Sequence, residues 1–110
     1  MVAPFRSPTD PPYVAVVFTS IRRAEGDGYE RTAVEMDHLA AAQPGYLGVD
    51  SVREPGSRLG ITVSYWRSEE DALAWKNVTE HVAARRRGRD EWYESYSVHI
   101  ATVTRAYGAP

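Results

Sequence analysis

Alternation of apolar and β-branched residues marks the first regular element of the chain. The segment YVAVVFTSI, from Tyr13 to Ile21, predicts a strand. The even-numbered residues from Val14 to Phe18 fall on one face, and Ala15 and Val17 fall on the other, so both faces are apolar. A strand of this kind has to be covered on both sides.

The apolar spacing then changes to three and four residues, which predicts a helix from about Gly28 to Gln43. Asp27 and Glu30 form a capping box at its start, and Pro44 with Gly45 ends it. The stripe expected to face the core is Tyr29, Ala33, Met36 and Ala40.

Two extended runs on either side of a Pro-Gly-Ser turn predict a hairpin. The strands are expected from Tyr46 to Glu54 and from Arg58 to Trp66, and residues 55–57 form the turn. Proline fixes φ and glycine tolerates positive φ, so this tripeptide has a physical reason to reverse the chain. A last strand is expected from Ser95 to Arg105.

Ser68 and Asp71 of the sequence SEED form a second capping box and predict a helix to about Arg87, with Gly88 as its stop. Residues 89–94 allow a further short helical turn. The element order β-α-β-β-α-β is the ferredoxin-like split motif, an α+β fold with a four-stranded antiparallel sheet and both helices on one face. Because the first strand is apolar on both sides, we expect a second subunit to cover the bare face as a symmetric homodimer.

Length and composition limit the classes of protein that fit this chain. Its 110 residues favour one domain from residue 13 to residue 110, preceded by an irregular, proline-rich arm from Met1 to Pro12. A net charge of −2 gives no general attraction to nucleic acid or to an anionic membrane, and the lack of cysteine excludes disulfides and thiolate sites. No apolar run approaches the roughly 20 residues of a membrane span, and the N-terminus lacks the features of a secretory signal. We therefore expect a cytoplasmic protein without nucleic-acid or membrane partners.

Four local motifs carry a family resemblance that covers roughly Tyr13 to Tyr107. They are the PGYLG step at residues 44–48, the strand end SYW at 64–66, the SEED cap at 68–71, and the helix from AWK at 74–76 to His81. With these motifs the chain resembles the antibiotic-biosynthesis-monooxygenase-like family of dimeric α+β barrels. The resemblance implies a homodimeric barrel with a pocket between the helices and the sheet of each subunit.

The family's cofactor-free oxygenases oxidise electron-rich aromatic compounds, such as anthrones and quinols, with O2. The resemblance implies no cofactor, and the sequence lacks the metal motifs HxxxH and HExxH and the dinucleotide motif GxGxxG. The expected function is a cofactor-independent monooxygenase acting on a small aromatic or polyketide-like compound. The alternatives are a non-catalytic small-molecule-binding or stress-associated dimer and a haem-binding protein.

The family's haem-degrading branch uses an Asn on the first strand, and a Trp and a His on the second long helix. Trp75 matches that Trp, but Arg85 stands where the His is expected, and the first strand contains no Asn. Two of three positions fail, which argues against haem degradation.

His81 is the candidate general base, since an imidazole can exchange a proton near neutral pH. A helical wheel places it beside the apolar stripe of its helix, where it can reach the mouth of a pocket. The simpler interpretation is an exposed or half-buried histidine. His38 falls opposite the apolar stripe of the first helix and is expected to be solvated, whereas the sequence does not decide the face of His99.

Aromatic residues and one arginine complete the candidate substrate-binding set. Trp66 and Trp75 are able to stack on a flat ligand, or alternatively they belong to the core. Tyr65 and Trp66 should point to opposite faces of the sheet. Tyr93 belongs to an aromatic patch with Trp92 and Tyr96, which either contacts substrate or seals the core or a dimer seam. Arg85 begins the sequence RRRGR, which either binds an anion or complements the helix C-terminus.

Overall fold

The computed structural model of the protein describes residues 10–23, 29–85 and 93–108, and it describes residues 29–32 and 83–85 by their backbone alone. Most of the proline-rich arm, the cap at Asp27, the end of the second helix beyond Arg85, and Trp92 therefore lie outside the described residues. Within this part the elements follow in the predicted order: β1 (Tyr13–Arg22), α1 (Tyr29–Ala41), β2 (Tyr46–Arg53), β3 (Leu59–Trp66), α2 (Glu69–Arg85) and β4 (Tyr93–Val103).

The four strands form one antiparallel sheet in the order β2-β3-β1-β4. Val14 of β1 pairs with Trp66 of β3, and Val16 pairs with Ile100 of β4. These residues lie under the two helices, and the surface they share is called the helix face. The intervening residues, such as Ala15 and its partner Tyr65, define the outer face. The predicted ferredoxin-like α+β fold is confirmed.

The core lies between the helix face and the two helices. Both helices contribute to it, since Ala40 of α1 and Ala72 of α2 are buried in one cluster with Val14 and Val16. Met36 packs against this cluster, as the predicted stripe of α1 requires. No helix within the described ranges is long and apolar enough to cross a membrane.

Helix α2 begins where the capping box predicts. The Ser68 Oγ accepts a hydrogen bond from the backbone N–H of Asp71 at 3.1 Å, so one of the unpaired amides of the first turn is satisfied. Glu69, Glu70 and Asp71 place negative charge at the positive end of the helix. Each of these features stabilises the first turn of the helix, which follows the end of β3 at Trp66.

The last strand starts two residues earlier than predicted, at Tyr93 instead of Ser95. Tyr93 pairs with Arg22, and the register shifts between Ile21 and Arg22, so Glu94 is the extra residue of a bulge. The predicted helical turn is therefore wrong at Tyr93 and Glu94, because pairing with β1 takes these residues into the sheet. Residues 89–92 of that turn lie outside the described part of the chain.

The turn between β2 and β3 is organised by the side chain of Glu54. Its carboxylate accepts hydrogen bonds from the Gly56 N–H at 3.0 Å, from the Ser57 N–H and from the Ser57 hydroxyl at 2.6 Å. These bonds, above all those from Ser57, hold the pKa of Glu54 below its ordinary value of 4.5. Arg58 leaves the turn in the left-handed region, with φ of 63°, and its Nε donates to the Arg22 carbonyl at 2.7 Å.

Candidate functional site

The two tryptophans singled out in the sequence lie together in the core. Trp66 is fully buried, and its indole N–H donates to the Ser64 hydroxyl at 2.9 Å. Trp75 of α2 is 8 % exposed and stacks on Trp66, with ring centroids 5.7 Å apart and an angle of 26° between the planes. This packing supports the interpretation of both residues as core. Tyr65 lies on the outer face, so the predicted opposition of Tyr65 and Trp66 is confirmed.

His81 is exposed on α2, next to the buried Val82. The helix begins beside the end of β3 and runs back along the sheet, so His81 lies in the half of α2 that approaches the start of β4. Arg85 is the last residue of this helix and is described by its backbone alone. The structure thus separates His81 along the helix from the tryptophan pair by more than one turn. His38 is exposed at the end of α1, as predicted.

Tyr93 belongs to a set of three aromatic rings, which we call the aromatic cluster: Phe18, Tyr93 and Tyr96. Phe18 stacks on Tyr96 with centroids 5.7 Å apart and an interplanar angle of 13°, and it contacts Tyr93 at 5.2 Å. The two tyrosines meet edge to face at 6.4 Å. Geometries of this kind are favourable for aromatic pairs. The cluster lies on the helix face, towards the end of the sheet that is far from Trp66.

The bulge at the start of β4 explains how both tyrosines reach the same face. Residues three apart on a regular strand point to opposite sides of the sheet. Because Glu94 is inserted between the paired residues, the alternation is reset, and Tyr93 and Tyr96 both lie on the side of Phe18. Tyr96 remains exposed at the surface of the cluster. Part of the aromatic surface of the cluster is therefore not buried in the core.

Arg53, which the sequence did not single out, adds a positive charge to this surface. Its Nη1 donates to the Arg58 carbonyl at 2.5 Å and to the Ser20 carbonyl at 3.2 Å, and its Nη2 donates to the Ser20 hydroxyl at 2.7 Å. The guanidinium carbon lies 5.9 Å from the centre of the Tyr93 ring. The charge is thus fixed beside the aromatic cluster.

Gly60 provides the space in which the guanidinium lies. It pairs with Arg53 on one side and with Ser20 on the other, so the three positions form one row across the helix face. A Cβ at Gly60 would lie 2.5 Å from the guanidinium carbon of Arg53. Once the hairpin register is known, an arginine opposite a strand glycine is the sequence signal for this arrangement.

The neighbouring row of the helix face carries a polar pair beside Phe18. Ser51 and Thr62 share a hydrogen bond of 2.8 Å between their hydroxyls, and Thr62 pairs with Phe18 across the sheet. The aromatic cluster, Arg53 and this hydroxyl pair together are called the candidate site. Rings can stack on a flat ligand, and the guanidinium and hydroxyls can bind its oxygen substituents. Among the described residues no group of three or more His, Asp or Glu could hold a metal ion.

Comparisons with known proteins agree with this architecture. The family model described as antibiotic biosynthesis monooxygenase matches residues 12–87, more than half of the chain. The uncharacterized protein YqjZ of Bacillus subtilis (strain 168) is 53 % identical over 96 residues, which cover 87 % of this chain and 83 % of that protein.

Two solved structures show the same fold at low identity. SnoaB from Streptomyces nogalater, a cofactor-independent oxygenase, superposes with a TM-score of 0.63 at 14 % identity, and the match covers 91 % of this chain and 99 % of SnoaB. The haem-degrader MhuD from Mycobacterium tuberculosis, solved with two haems in its active site, gives a TM-score of 0.64 at 23 % identity, covering 86 % of this chain and 99 % of MhuD. The extent of the family match decides the classification: the chain belongs to the antibiotic biosynthesis monooxygenase family.

Proposed function

We propose that the protein is a cofactor-independent monooxygenase that oxidises a small, electron-rich aromatic or polyketide-like compound with O2 at the candidate site. One observation carries this proposal: the stacked pair of Phe18 and Tyr96 lies on the same face as a guanidinium that is fixed 5.9 Å from the ring of Tyr93. A flat ring with an anionic oxygen is the ligand that such a surface suits. Membership of the family and the shared fold of SnoaB support the reaction class.

The chemistry balances without an external reductant. For a substrate of the anthrone type, a base removes a proton from the methylene carbon, and the resulting anion transfers one electron to O2. The substrate radical and superoxide combine to form the C–O bond of a peroxide. Cleavage of the O–O bond then leaves one oxygen as a carbonyl and releases the other as water with the two hydrogens of the methylene group. The substrate supplies all four electrons.

The residues of this chain then have separate tasks. Arg53 stabilises the anion that forms when the substrate loses its proton, because a nearby positive charge favours the charged form. Tyr93 and the rest of the aromatic cluster orient the ring. His81 is the proposed proton acceptor, and the positive charge of Arg85 attracts an anionic substrate. Trp66 and Trp75 pack α2 against the sheet and in this way support the shape of the site from within the core.

Haem does not fit the residues that this chain provides. Trp75, which matches the tryptophan of the haem-degrading branch, is packed against Trp66 and is 8 % exposed. The sequence of β1 contains no Asn, and Arg85 stands at the position of the expected His. No step of the proposed mechanism therefore involves haem. A haemin titration followed by Soret absorbance should show no saturable binding of one haem per subunit, and saturable binding would contradict this conclusion.

Oxygen uptake with anthrone and quinol substrates tests the proposed activity. Arg53→Met removes the charge but keeps an unbranched side chain, and we expect kcat/KM to fall by about ten- to a hundred-fold, the usual value of a charge-assisted hydrogen bond. His81→Ala should reduce kcat by about a hundred-fold if His81 is the base. His38→Ala removes an exposed histidine of α1 and should leave turnover unchanged.

Three outcomes separate the alternatives. Uptake that does not exceed the uncatalysed rate, although the substrate binds and quenches tyrosine fluorescence, would identify a non-catalytic binding protein. Normal turnover in His81→Ala would remove His81 from the mechanism. Normal turnover in Arg53→Met would show that the reaction takes place elsewhere.

The proposal includes a symmetric homodimer formed through the outer face. Val52 is 70 % exposed, Ile61 is 41 % exposed, and Leu59 near them is also exposed on this face. An apolar sheet surface of this kind is typical of a sheet that packs on another sheet. A second copy of the chain would cover it and leave the candidate site on the helix face of each subunit.

A further inference from the structure

One row of residues across the outer face has an ionisable group at each end and apolar residues between them. Asp50 of β2 pairs with Val63 of β3, Val63 pairs with Val17 of β1, and Val17 pairs with His99 of β4. The strand order β2-β3-β1-β4 therefore places the acid at one edge of the sheet and the imidazole at the other. Val17 and Val63 occupy the middle.

The acid at one end of this row is held on the outer face by a hydrogen bond, and the imidazole at the other end is exposed. The Asp50 Oδ2 accepts a hydrogen bond from the Tyr65 hydroxyl at 3.1 Å, and the Tyr65 ring meets Tyr13 edge to face at 5.8 Å. His99 is exposed on the edge strand β4. Tyr13 and Tyr65 also lie on this face. Glu94, the bulge residue at the start of β4, forms an ion pair of 3.2 Å with Arg58 at the far end of the strand from the row of His99. The orientation of the Asp50 carboxylate is thus set by its hydrogen bond to Tyr65 of the same sheet.

The symmetry of a dimer decides what each end of the row meets. Two facing sheets whose strands are aligned can be related by a two-fold axis that runs between them, either along the strands or across them. An axis across the strands places each strand over its own copy, so that β2 faces β2 and Asp50 cannot meet the His99 of a second copy. An axis along the strands reverses the strand order, so that β2 faces β4 and β3 faces β1.

We propose that, in the homodimer proposed above, Asp50 of each subunit pairs with the partner's His99 about a two-fold axis parallel to the strands. This assignment rests on the homodimer proposed above. It is the arrangement in which the acid and the imidazole meet twice and Val63 of one subunit lies over the partner's Val17, whereas an axis across the strands brings neither pair together.

The pairing makes dimerisation depend on pH. Only a protonated imidazole forms an ion pair with a carboxylate, and histidine is the side chain that ordinarily changes its charge between about pH 5 and 8. We therefore expect the two pairs to strengthen the dimer more at about pH 6 than at about pH 8. Each partly exposed ion pair contributes little to the free energy of association. For two symmetric pairs we expect the dimer dissociation constant to increase by about five-fold between about pH 6 and about pH 8.

Sedimentation equilibrium of the full chain at these two pH values tests the pairing. Asp50→Asn keeps an oxygen for the Tyr65 hydroxyl but removes the charge, and His99→Gln removes the imidazole. We expect either variant to bind about five-fold more weakly than the natural chain at about pH 6, and to show no pH dependence. The double variant should be no weaker than either single variant, because both remove the same interaction. His38→Gln is the matched control and should retain the natural pH dependence.

The outcomes distinguish failure of the pairing from failure of the dimer. A dimer whose dissociation constant is unchanged by pH, or in which only one of the two variants has an effect, would overturn the Asp50–His99 pairing and leave the homodimer intact. A monomer at all concentrations would overturn the homodimer. Oxygen uptake is measured separately, so neither result depends on the proposed reaction.

Discussion

At the scale of single residues, the aromatic side chains of this protein divide into two groups with different surroundings. Trp66 and Trp75 are buried in the contact between β3 and α2. Phe18, Tyr93 and Tyr96 form a cluster that is partly exposed. Alternation along a strand predicts which residues share a face, but it does not predict which part of that face the helices cover. For this reason the sequence left Trp66 and Trp75 as either pocket or core residues, and the structure places both in the core, apart from Tyr93.

Replacement of Trp75 tests its assignment to the core. Trp75→Ala should lower the free energy of unfolding by about 3–5 kcal/mol, since it removes a large buried ring and leaves a cavity against Trp66. Leu73→Ala, at an exposed position of the same helix, should cost less than about 1 kcal/mol. Urea unfolding followed by far-UV circular dichroism measures both. Equal effects of the two substitutions would contradict the core assignment.

Arg53 shows why part of the candidate site could not be found from sequence. Its position near the end of β2 predicts an exposed arginine, and its charge alone does not indicate a fixed orientation. The orientation depends on Ser20, which is 33 residues away in the chain, and on the space at Gly60. Contacts between distant segments of this kind require the sheet register, which spacing does not provide.

At the scale of elements, the predicted order and most boundaries agree with the structure, because caps, turns and alternation are local signals. Ser68 caps α2, and Pro55, Gly56 and Ser57 lie in the turn between β2 and β3. The start of β4 was missed because the bulge at Glu94 interrupts the alternation by which a strand is recognised. A bulge is set by pairing with β1 and not by its own residues.

The turn between β2 and β3 should respond to acid through Glu54. Since hydrogen bonds from Ser57 and Gly56 lower the pKa of Glu54 in the folded chain, its contribution to stability is present above the ordinary value of 4.5 and is lost as the pH falls through the lowered pKa. Glu54→Gln should therefore lower Tm by a constant amount near neutral pH, and the difference should shrink below about pH 4.5. Thermal unfolding of both proteins between about pH 3 and pH 7 measures this. Glu35→Gln, at a carboxylate of α1, serves as the control, and an equal pH response in that variant would contradict the role of Glu54.

At the scale of the whole molecule, the two faces of the sheet carry different kinds of surface. The helix face holds the core and the candidate site, and the outer face presents apolar residues and the row from Asp50 to His99. The sequence correctly predicted that Tyr65 and Trp66 lie on opposite faces, and the cover of the outer face by a second subunit stays a prediction. The proposed orientation of a second subunit depends on the strand order across the sheet, which the sequence pattern does not provide.

A charge in the middle of the outer face should dissociate the proposed homodimer without unfolding the subunit. Ile61→Glu would bury a carboxylate against the apolar surface of a second copy, and we expect the dimer dissociation constant to rise by at least about a hundred-fold. Val34→Glu, at an exposed position of α1, should leave it unchanged. Sedimentation equilibrium measures the association, and far-UV circular dichroism checks the fold. Equal association of both variants would show that this face is not the interface.

The glycine at position 60 also constrains how this sequence can vary in nature. The guanidinium of Arg53 fills the space that a side chain at position 60 would need, so the two positions, seven residues apart on neighbouring strands, behave as one steric unit. A chain that acquires a side chain at position 60 has to shorten the residue at position 53 or redirect it. Covariation between these two positions in natural relatives would therefore trace the loss and gain of the fixed charge during divergence of the family.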